Sequence, residues 1–549
     1  MKKIFSILLA SLALSSCVDT VILPDNKVLD EDYWKKKSEV EAVVGAAYAQ
    51  MTNSELLRNM IIWGDFRSDE LVISSSVLTS DPYKTPLDEI YSMNIQTDNL
   101  FTSWGTLYSV INYCNLVLEK AEGVIAEDPD YTRSDYETTR SQMLALRAWS
   151  YFYLVRVFHD VPVTNGAYLE SDAEFEIPQK SPAEVLQMCI NDLTEAVQYA
   201  PANNAYSGTK DTWRNRGYFN RDGINALLAD IYLWRASVNH DQNDYQQCVN
   251  CCDQVIASKK SSHILQFNET ESDYYLSTYD KMYNTVFGKG NSEESIMEIE
   301  MNFVNSELKK LYNNISGSKQ GYLKTTATYA VSNGSSTATN VFKNAYDQRL
   351  FESIYDVSAT KEEYDVRKYT DTESAGKLTS KSREQMGSIF MDWILYRLSD
   401  VMLMKAEALV QLNQPEEAFA LCKAVNDRAI TDVPNYGLKY STYASRMEEL
   451  VLAERARELC FEGKRWFDLM RYNYRHMEGV DYNKLLADQE NQPKNSDEFF
   501  NIALSKYSTP AAMKAKMPTE PYLYMPINED EVKINKSLKQ NPVYKSKTE

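Results

Sequence analysis

The most distinctive stretch of this sequence is Glu454-Arg-Ala-Arg-Glu-Leu-Cys-Phe-Glu-Gly-Lys-Arg-Trp-Phe-Asp-Leu-Met-Arg471. Its apolar period predicts one helix over 446–472. Three glutamates, Glu454, Glu458 and Glu462, recur every four residues and therefore share one helix face. Two of them could serve as the acid and base of a glycosidase. Basic residues interleave with them, however, and the interpretation we favour is a set of ion pairs along the helix, involving Arg455, Arg457, Lys464 and Arg465.

Helical periods continue on both sides of this stretch. They predict helices at 33–51, 100–123, 138–158, 182–199, 224–236, 245–257, 394–412 and 415–429. The last two form an αα-hairpin, since Asn413-Gln414-Pro415 breaks the period and proline suits the first position of a helix. Similar pairs occur at 138–158 with 182–199 and at 224–236 with 245–257. The fold class is therefore mainly α, with tetratricopeptide-like helix pairs as a scaffold. An ordinary irregular helical domain is the alternative, because no strict 34-residue repeat is visible. Trp149, Trp234 and Trp466 lie in apolar stripes and are expected in the core.

A different composition separates two parts of this scaffold. Residues 258–385 are rich in Ser, Thr, Asn, Gly and Tyr and carry short β-like pieces such as 295–301. We predict a scaffold over about 31–257 and 386–475, a loop-rich ligand-binding region over about 258–385, and a C-terminal segment over 476–549.

The first residues have the pattern of a secretion signal. Lys2 and Lys3 precede an apolar run over 4–14, which is too short to span a bilayer. Leu14-Ser15-Ser16-Cys17 then supplies small residues before a cysteine. We predict a cleaved signal over 1–16, lipidation at Cys17, and a lipidated tether over 17–30.

Charge and cysteine content exclude several functions. The formal net charge is −20, which argues against nucleic acid as a partner and against electrostatic docking on anionic lipid. Cys248, Cys251 and Cys252 resemble metal ligands, but no second Cys or His pair stands at zinc spacing. We therefore predict no metal site and no cofactor, and because no nucleophile motif is present, no catalytic residues.

Five blocks in sequence order resemble the SusD/RagB family of Bacteroidetes surface lipoproteins. One is the opening stretch, and the others lie at 146–163, 224–236, 396–409 and 524–542. The resemblance implies a surface glycan-binding lipoprotein rather than an enzyme. Such a protein is anchored in the outer membrane and delivers oligosaccharide to a TonB-dependent (SusC-like) transporter. A peptide-binding member of the same family and a tetratricopeptide-like protein-interaction module are the alternatives.

Tyrosine is the residue that best suits glycan capture here. The chain has 38 Tyr against 8 Trp and 18 Phe, and a tyrosine offers a flat apolar face with a polar tip. Binding groups concentrate on loops held by a scaffold, so we place the candidates by position, in and just before 74–99 and in 274–322. Trp213 is a weaker candidate. The candidate ligand-binding residues are Arg67, Asp69, Asp81, Tyr83, Tyr91, Tyr279, Tyr283 and Tyr322.

Overall fold

The protein is mainly helical, as predicted. The computed structural model describes residues 33–168, 176–262, 286–287, 290–301, 311, 321–326, 329, 341–343, 346–354, 363–369, 392–430, 432–477 and 493–544. The longer helices are Lys37–Met51, Ser54–Ile61, Lys84–Tyr91, Gly105–Lys120, Arg133–Phe158, Pro182–Tyr199, Arg221–Asn239, Gln242–Ser262, Leu398–Gln411, Pro415–Ala429, Met447–Glu458 and Arg465–His476. Shorter ones are Val124–Glu127, Arg214–Gly217, Gln348–Ser353, Val433–Tyr436, Tyr440–Tyr443, Asp497–Ala503, Pro510–Lys514 and Glu529–Ile534, with a π-helix at Ile62–Phe66 and 3₁₀ turns at Leu100–Thr102, Ala121–Gly123 and Glu520–Leu523.

The predicted helix pairs are present and stack on one another. Arg133–Phe158 packs on Pro182–Tyr199, Arg221–Asn239 on Gln242–Ser262, and Leu398–Gln411 on Pro415–Ala429. Neighbouring pairs also touch, since Pro182–Tyr199 contacts Arg221–Asn239 and Gln242–Ser262 contacts Leu398–Gln411. Trp149, Trp234 and Trp466 are all buried in the resulting core, which confirms their predicted place.

Seven short strands complete the described part of the chain. They are β1 Leu71–Ile73, β2 Val161–Pro162, β3 Gln179–Lys180, β4 Ser295–Ile299, β5 Leu323–Thr326, β6 Glu363–Tyr364 and β7 Trp393–Arg397. They form three antiparallel sheets in the orders β1-β5-β6, β2-β3 and β4-β7. The β-like piece at 295–301 is thus confirmed as β4.

The helix predicted at 394–412 is wrong in its first turn. Trp393–Arg397 is a strand whose five residues are all buried, and the helix starts at Leu398. Ile394 pairs with Glu298 of β4, and Trp393 pairs with Ile299. A short apolar run that is buried on both faces has no period that distinguishes strand from helix, which explains the error.

The single helix predicted at 446–472 is also wrong, because the chain turns at 459–464. Phe461 and Gly463 have left-handed backbones, with φ of 63° and 74°. The π-helix Ile62–Phe66 lies against this turn. Asp65 accepts hydrogen bonds from the N–H groups of Gly463 (2.8 Å) and Lys464 (3.1 Å). These bonds satisfy backbone donors that the break in the helix would otherwise leave unpaired inside the core.

The three glutamates of this stretch are ion-paired, but mostly to distant elements rather than along one helix. Arg397 of β7 bridges Glu458 (2.6 Å) and Glu462 (2.8 Å), and Arg349 contacts Glu454 (2.6 Å). Of the pairs expected along the helix, Arg457–Glu454 is present at 2.6 Å, whereas Arg455 binds Asp468 and Arg465 binds Asp69. Arg397 therefore binds β7 to the helical scaffold, and Arg349 does the same for the helix Gln348–Ser353.

Candidate functional site

Two of the predicted loop segments meet beside the three-stranded sheet. Strand β1 pairs with β5 so that Ile73 lies opposite Leu323. The pairing continues one step further, because the N–H of Ser74 donates to the carbonyl of Tyr322 at 2.9 Å. The segment after β1 is thereby placed next to the residue that precedes β5.

Asp81, Tyr83 and Tyr322 come together there. The Tyr322 hydroxyl donates to Oδ2 of Asp81 at 2.9 Å, and the N–H of Tyr83 donates to Oδ1 at 3.0 Å. The rings of Tyr83 and Tyr322 meet edge to face, with centroids 5.0 Å apart and planes at 79°. Both side chains are half-buried, so part of each remains open to a ligand.

Two residues that were not among the predicted ligand-binding residues contact Tyr83. Arg58 donates to the Tyr83 hydroxyl at 2.9 Å, and its guanidinium carbon lies 5.3 Å from the centre of that ring. Phe101 stacks on Tyr83 with centroids 6.2 Å apart. We call Arg58, Asp81, Tyr83, Phe101 and Tyr322 the Tyr83 patch. Arg58 and Phe101 both lie in the range 31–257 that was predicted as scaffold, and Phe101 also lies in the helix predicted at 100–123.

Exposed apolar side chains stand beside the Tyr83 patch in the chain. Leu78 is 64% exposed and lies in the turn that leads to Asp81, where the N–H of Asp81 donates to its carbonyl. Leu100, which directly precedes Phe101, is 41% exposed. The patch thus combines aromatic faces, an ionisable carboxylate and hydroxyl groups, the set that recognises the apolar faces and hydroxyl rim of a sugar.

Arg67 and Asp69 do not join this patch. Arg67 is buried, donates to the carbonyls of Leu523 (2.6 Å) and Tyr522 (2.8 Å), and stacks on Trp466. Burial lowers the pKa of Arg67 to about 10. Asp69 is buried and binds Arg465 through both carboxylate oxygens. Both side chains hold the fold together, and their prediction as ligand contacts has no support in this geometry.

Tyr91 ends the helix Lys84–Tyr91 rather than lying in a loop. Its ring contacts Phe66 and Tyr507, and its carbonyl accepts a bond from the Tyr507 hydroxyl. Beside it is a cavity of about 20 Å³, which holds a water-sized group and not a sugar ring. Its lining residues are Arg67, Ile90, Met93, Ile95, Trp466, Tyr507, Met517, Tyr522 and Tyr544.

The remaining candidates divide between described and undescribed parts of the chain. Tyr279 and Tyr283 lie outside the described residues, as do Cys17 and the rest of 1–32. Trp213 is half-buried and meets Tyr218 edge to face, at 5.3 Å between centroids. It lies beside the helix Arg214–Gly217, apart from the residues that make up the Tyr83 patch.

The acidic residues of the opening stretch are poorly suited to acid–base catalysis. Burial alone raises the pKa of Glu458, but Arg428, Arg397 and Arg349 outweigh it and hold that pKa well below its ordinary value. The pKa values of Glu454 and Glu462 are likewise lowered by their cationic partners, against the opposing effect of burial. A general acid needs a carboxyl that keeps its proton near neutral pH, and these carboxyls are ionised and fully paired.

The cysteines of the described part of the chain are free thiols, and all but Cys251 are buried. Burial raises the pKa of Cys248 well above its ordinary value, and that of Cys251 to about 12. Within the described residues, no group of three or more His, Cys, Asp or Glu is arranged to hold a metal ion. No helix in that part of the chain is long and apolar enough to cross a membrane.

The fold defines the class of protein, a mainly helical scaffold of stacked helix pairs that carries loops and short sheets. A family model described as the SusD family matches residues 226–544, and one described as "Starch-binding associating with outer membrane" matches residues 23–233. The chain belongs to the SusD family. Membership supports, in general terms, a glycan-binding role in nutrient uptake. Proteins of this family are binding proteins rather than enzymes.

Individual relatives agree over nearly the whole chain. SusD-like protein P38 of Formosa agariphila is 26% identical over 511 residues, which cover 85% of this chain and 90% of that protein. SusD-like protein P2 of the same organism is 24% identical, covering 84% and 88%. Among solved structures, NanU of B. fragilis superposes with a TM-score of 0.65 at 18% identity, covering 96% of this chain and 100% of that one. A SusD superfamily protein from Bacteroides vulgatus gives a TM-score of 0.67 at 16% identity, covering 93% and 100%.

Proposed function

We propose that this protein is a surface glycan-binding lipoprotein that captures oligosaccharide at the Tyr83 patch and passes it to a TonB-dependent outer-membrane transporter. Lipid on Cys17 holds it to the outer membrane, with the body facing outward. Family membership and the sequence pattern at 1–17, which predicts a secretion signal and a lipidated cysteine, support this role.

The observation that carries the proposal is the edge-to-face contact of Tyr83 and Tyr322, fixed by Asp81. Two rings at 79° form a corner, so that a sugar can rest its C–H face on one ring while its hydroxyls reach the second. Asp81 already accepts bonds from both tyrosine residues, which keeps the corner in shape before a ligand arrives. A preformed site costs less entropy on binding than one that must be ordered.

Binding by the soluble form, residues 18–549, tests the capture step. Affinity gel electrophoresis against pullulan, xylan, laminarin and pectin, with a parallel panel of peptides, identifies the ligand class. We expect at least one polysaccharide to retard the protein without being degraded. Tyr83→Ala and Tyr322→Ala should each weaken that retention about tenfold, which corresponds to about 1.4 kcal/mol.

Controls separate the ring from the fold. Tyr199→Ala removes a tyrosine that is 44% exposed on the helix Pro182–Tyr199, and should leave retention unchanged. Tyr322→Phe keeps the ring, removes the bond to Asp81 and should cost less than Tyr322→Ala. Unchanged retention of both alanine variants contradicts the site. Binding of peptides alone contradicts the glycan assignment.

The anchoring and the transporter partner need the full-length protein in its native membrane. Cys17→Ala should move the protein from the membrane to the soluble fraction, while the purified body binds the retained polysaccharide as before. Mild detergent extraction of the wild type should co-purify a TonB-dependent transporter. Extraction of this protein with no such partner contradicts the delivery step, whatever the outcome of the binding assays.

A further inference from the structure

A second pair of tyrosines lies on the surface outside the Tyr83 patch. Tyr346 and Tyr436 stack with ring centroids 4.2 Å apart and planes at 19°. Each is 43% exposed, although it is covered by the other on one face. Their side chains hydrogen-bond to each other, which raises the pKa of Tyr436. They are separated by about ninety residues of sequence, so tertiary structure and not local spacing forms the pair.

The residue that follows Tyr346 anchors one half of the pair. Asp347, the residue after Tyr346, forms a β-bridge with Ile430 and an ion pair with Arg349 at 2.7 Å. Arg349 in turn binds Glu454 in the buried network. The pair is therefore exposed, but one half of it is anchored directly to the core.

Tyr436 is held by its own short helix. It ends the helix Val433–Tyr436, and its N–H donates to the carbonyl of Asp432 at 2.9 Å. The side chain of Asn435 closes the turn by donating to the Asp432 carboxylate at 3.0 Å. The following residue, Gly437, has no room for a side chain, since a Cβ there would lie 2.6 Å from the carbonyl oxygen of Val433. The backbone of Tyr436 is therefore held in place by its own turn.

The size and chemistry of the surface around Tyr346 and Tyr436 indicate which kind of ligand fits it. Of the described residues within three positions of Tyr436, the exposed ones are Pro434, Asn435 and Lys439, whereas Val433 and Leu438 are half-buried. Two rings offer far less than the roughly 800 Å² per partner that a stable protein interface buries. A single pyranose ring, with an apolar C–H face and a rim of hydroxyls, matches an aromatic face that ends in a hydroxyl.

We propose that Tyr346 and Tyr436 form a second carbohydrate contact, which stacks a sugar ring of a long glycan chain. The inference rests on the proposed glycan-binding function and adds a separate place of contact to it. A weak second contact raises the apparent affinity for a polysaccharide, which presents many sugar rings, but adds nothing for an oligosaccharide that fills only the Tyr83 patch.

The test compares a polysaccharide with its own short fragment. The probes are whichever of pullulan, xylan, laminarin and pectin retards the wild type, and the tetrasaccharide prepared from it. Tyr346→Ala and Tyr436→Ala should each weaken retention by the polysaccharide about threefold to tenfold, while calorimetry with the tetrasaccharide gives the wild-type affinity. Tyr436→Phe keeps the ring and should retain most of the polysaccharide binding. Tyr199→Ala, equally exposed, should match the wild type.

The outcomes distinguish this inference from the proposed function. If the Tyr346 and Tyr436 variants bind the polysaccharide like the wild type while Tyr83→Ala does not, the second contact is overturned and the Tyr83 patch stands. If Tyr436→Ala weakens the polysaccharide and the tetrasaccharide equally, the pair is not a separate contact. If no polysaccharide retards the wild type, the proposed function and this inference both fall. Each variant should have a melting temperature close to that of the wild type, which shows that a loss of retention is an effect on binding and not on folding.

Discussion

The hydroxyl of Tyr322 donates a 2.9 Å hydrogen bond to the carboxylate of Asp81, across 241 residues of sequence. The same carboxylate accepts the N–H of Tyr83. One side chain thus sets both the backbone of one aromatic residue and the ring of another. The relative position of the Tyr83 and Tyr322 rings, the proposed sugar-binding corner, therefore depends on Asp81.

Replacing Asp81 tests that dependence. Asp81→Ala removes both acceptors, and we expect the affinity for the tetrasaccharide of the retained polysaccharide to fall about tenfold because the corner is no longer held in shape. Asp81→Asn keeps an acceptor and should lose less than about threefold. Isothermal titration calorimetry measures both. Wild-type affinity in Asp81→Ala contradicts a positioning role, and equal losses in the two variants indicate that the charge itself binds the sugar.

Arg397 should be among the most important side chains for stability. Its side chain is fully buried and ion-paired with Glu294, Glu458 and Glu462. Arg397→Met leaves buried carboxylates with fewer cationic partners, and we expect it to lower the free energy of unfolding by about 3–5 kcal/mol. Urea unfolding of the soluble form measures the loss.

The control for this prediction is an ion pair on the surface. Arg133 contacts Glu122 at 2.6 Å, with side chains 61% and 58% exposed. Arg133→Ala should cost less than about 1 kcal/mol, because water screens an exposed pair. Losses of similar size in the two variants would mean that the buried network is not what joins β7 to the helices.

The stability of the protein should depend on pH through three carboxyls in or next to β4, those of Glu298, Glu300 and Asp392. Burial, with Asp392 adding to it, raises the pKa of Glu298 to about 8. Burial likewise raises the pKa of Asp392 to about 6 and that of Glu300 to about 7. Arg216, Ser295 and the N–H of Asn291 act in the opposite direction on Glu298. Since the folded protein binds these protons more tightly than the unfolded chain, the carboxyls cost stability as the pH rises through this range.

Glu298→Gln isolates that cost, because glutamine stays neutral. Relative to the wild type, the variant should gain stability progressively between about pH 4.5, the ordinary pKa, and about pH 8, the folded-state value, with little difference at pH 4.5. The gain at pH 8.5 should be at least about 1 kcal/mol. Urea unfolding at several pH values measures the difference. A difference that is flat with pH contradicts the raised pKa.

Gly64 lies where the π-helix approaches the turn of the opening stretch. A Cβ at Gly64 would lie 2.0 Å from the carbonyl oxygen of Gly463, so the two backbones would have to separate. We expect Gly64→Ala to destabilise the protein by about 3 kcal/mol or more. Gly123 has no heavy atom within 4 Å of its Cβ position, and Gly123→Ala should be close to neutral. Equal melting temperatures for the two variants contradict this close approach.

The helical scaffold could be predicted because each pair has a long apolar period and its own break, as at Asn413-Gln414-Pro415. The turn at 459–464 could not, since the acceptors that make it stable, Asp65 and Glu70, lie nearly four hundred residues away. The Tyr83 patch could be predicted only in part. Position in the predicted loop segments suggested Asp81, Tyr83 and Tyr322, but only the β1-β5 pairing brings them together. The same reasoning selected Arg67 and Asp69. Their hydrogen-bond partners, Tyr522 and Leu523 for Arg67 and Arg465 for Asp69, are distant in sequence, so the local pattern gives no sign of them.

Glycan capture at the Tyr83 patch can be tested by a crystal structure of the soluble form with the tetrasaccharide of its retained polysaccharide. We expect a sugar ring against Tyr83 or Tyr322, with its hydroxyls within hydrogen-bonding distance of the Tyr83 patch. A tetrasaccharide bound elsewhere on the molecule, with Tyr83 and Tyr322 still open to solvent, would contradict it.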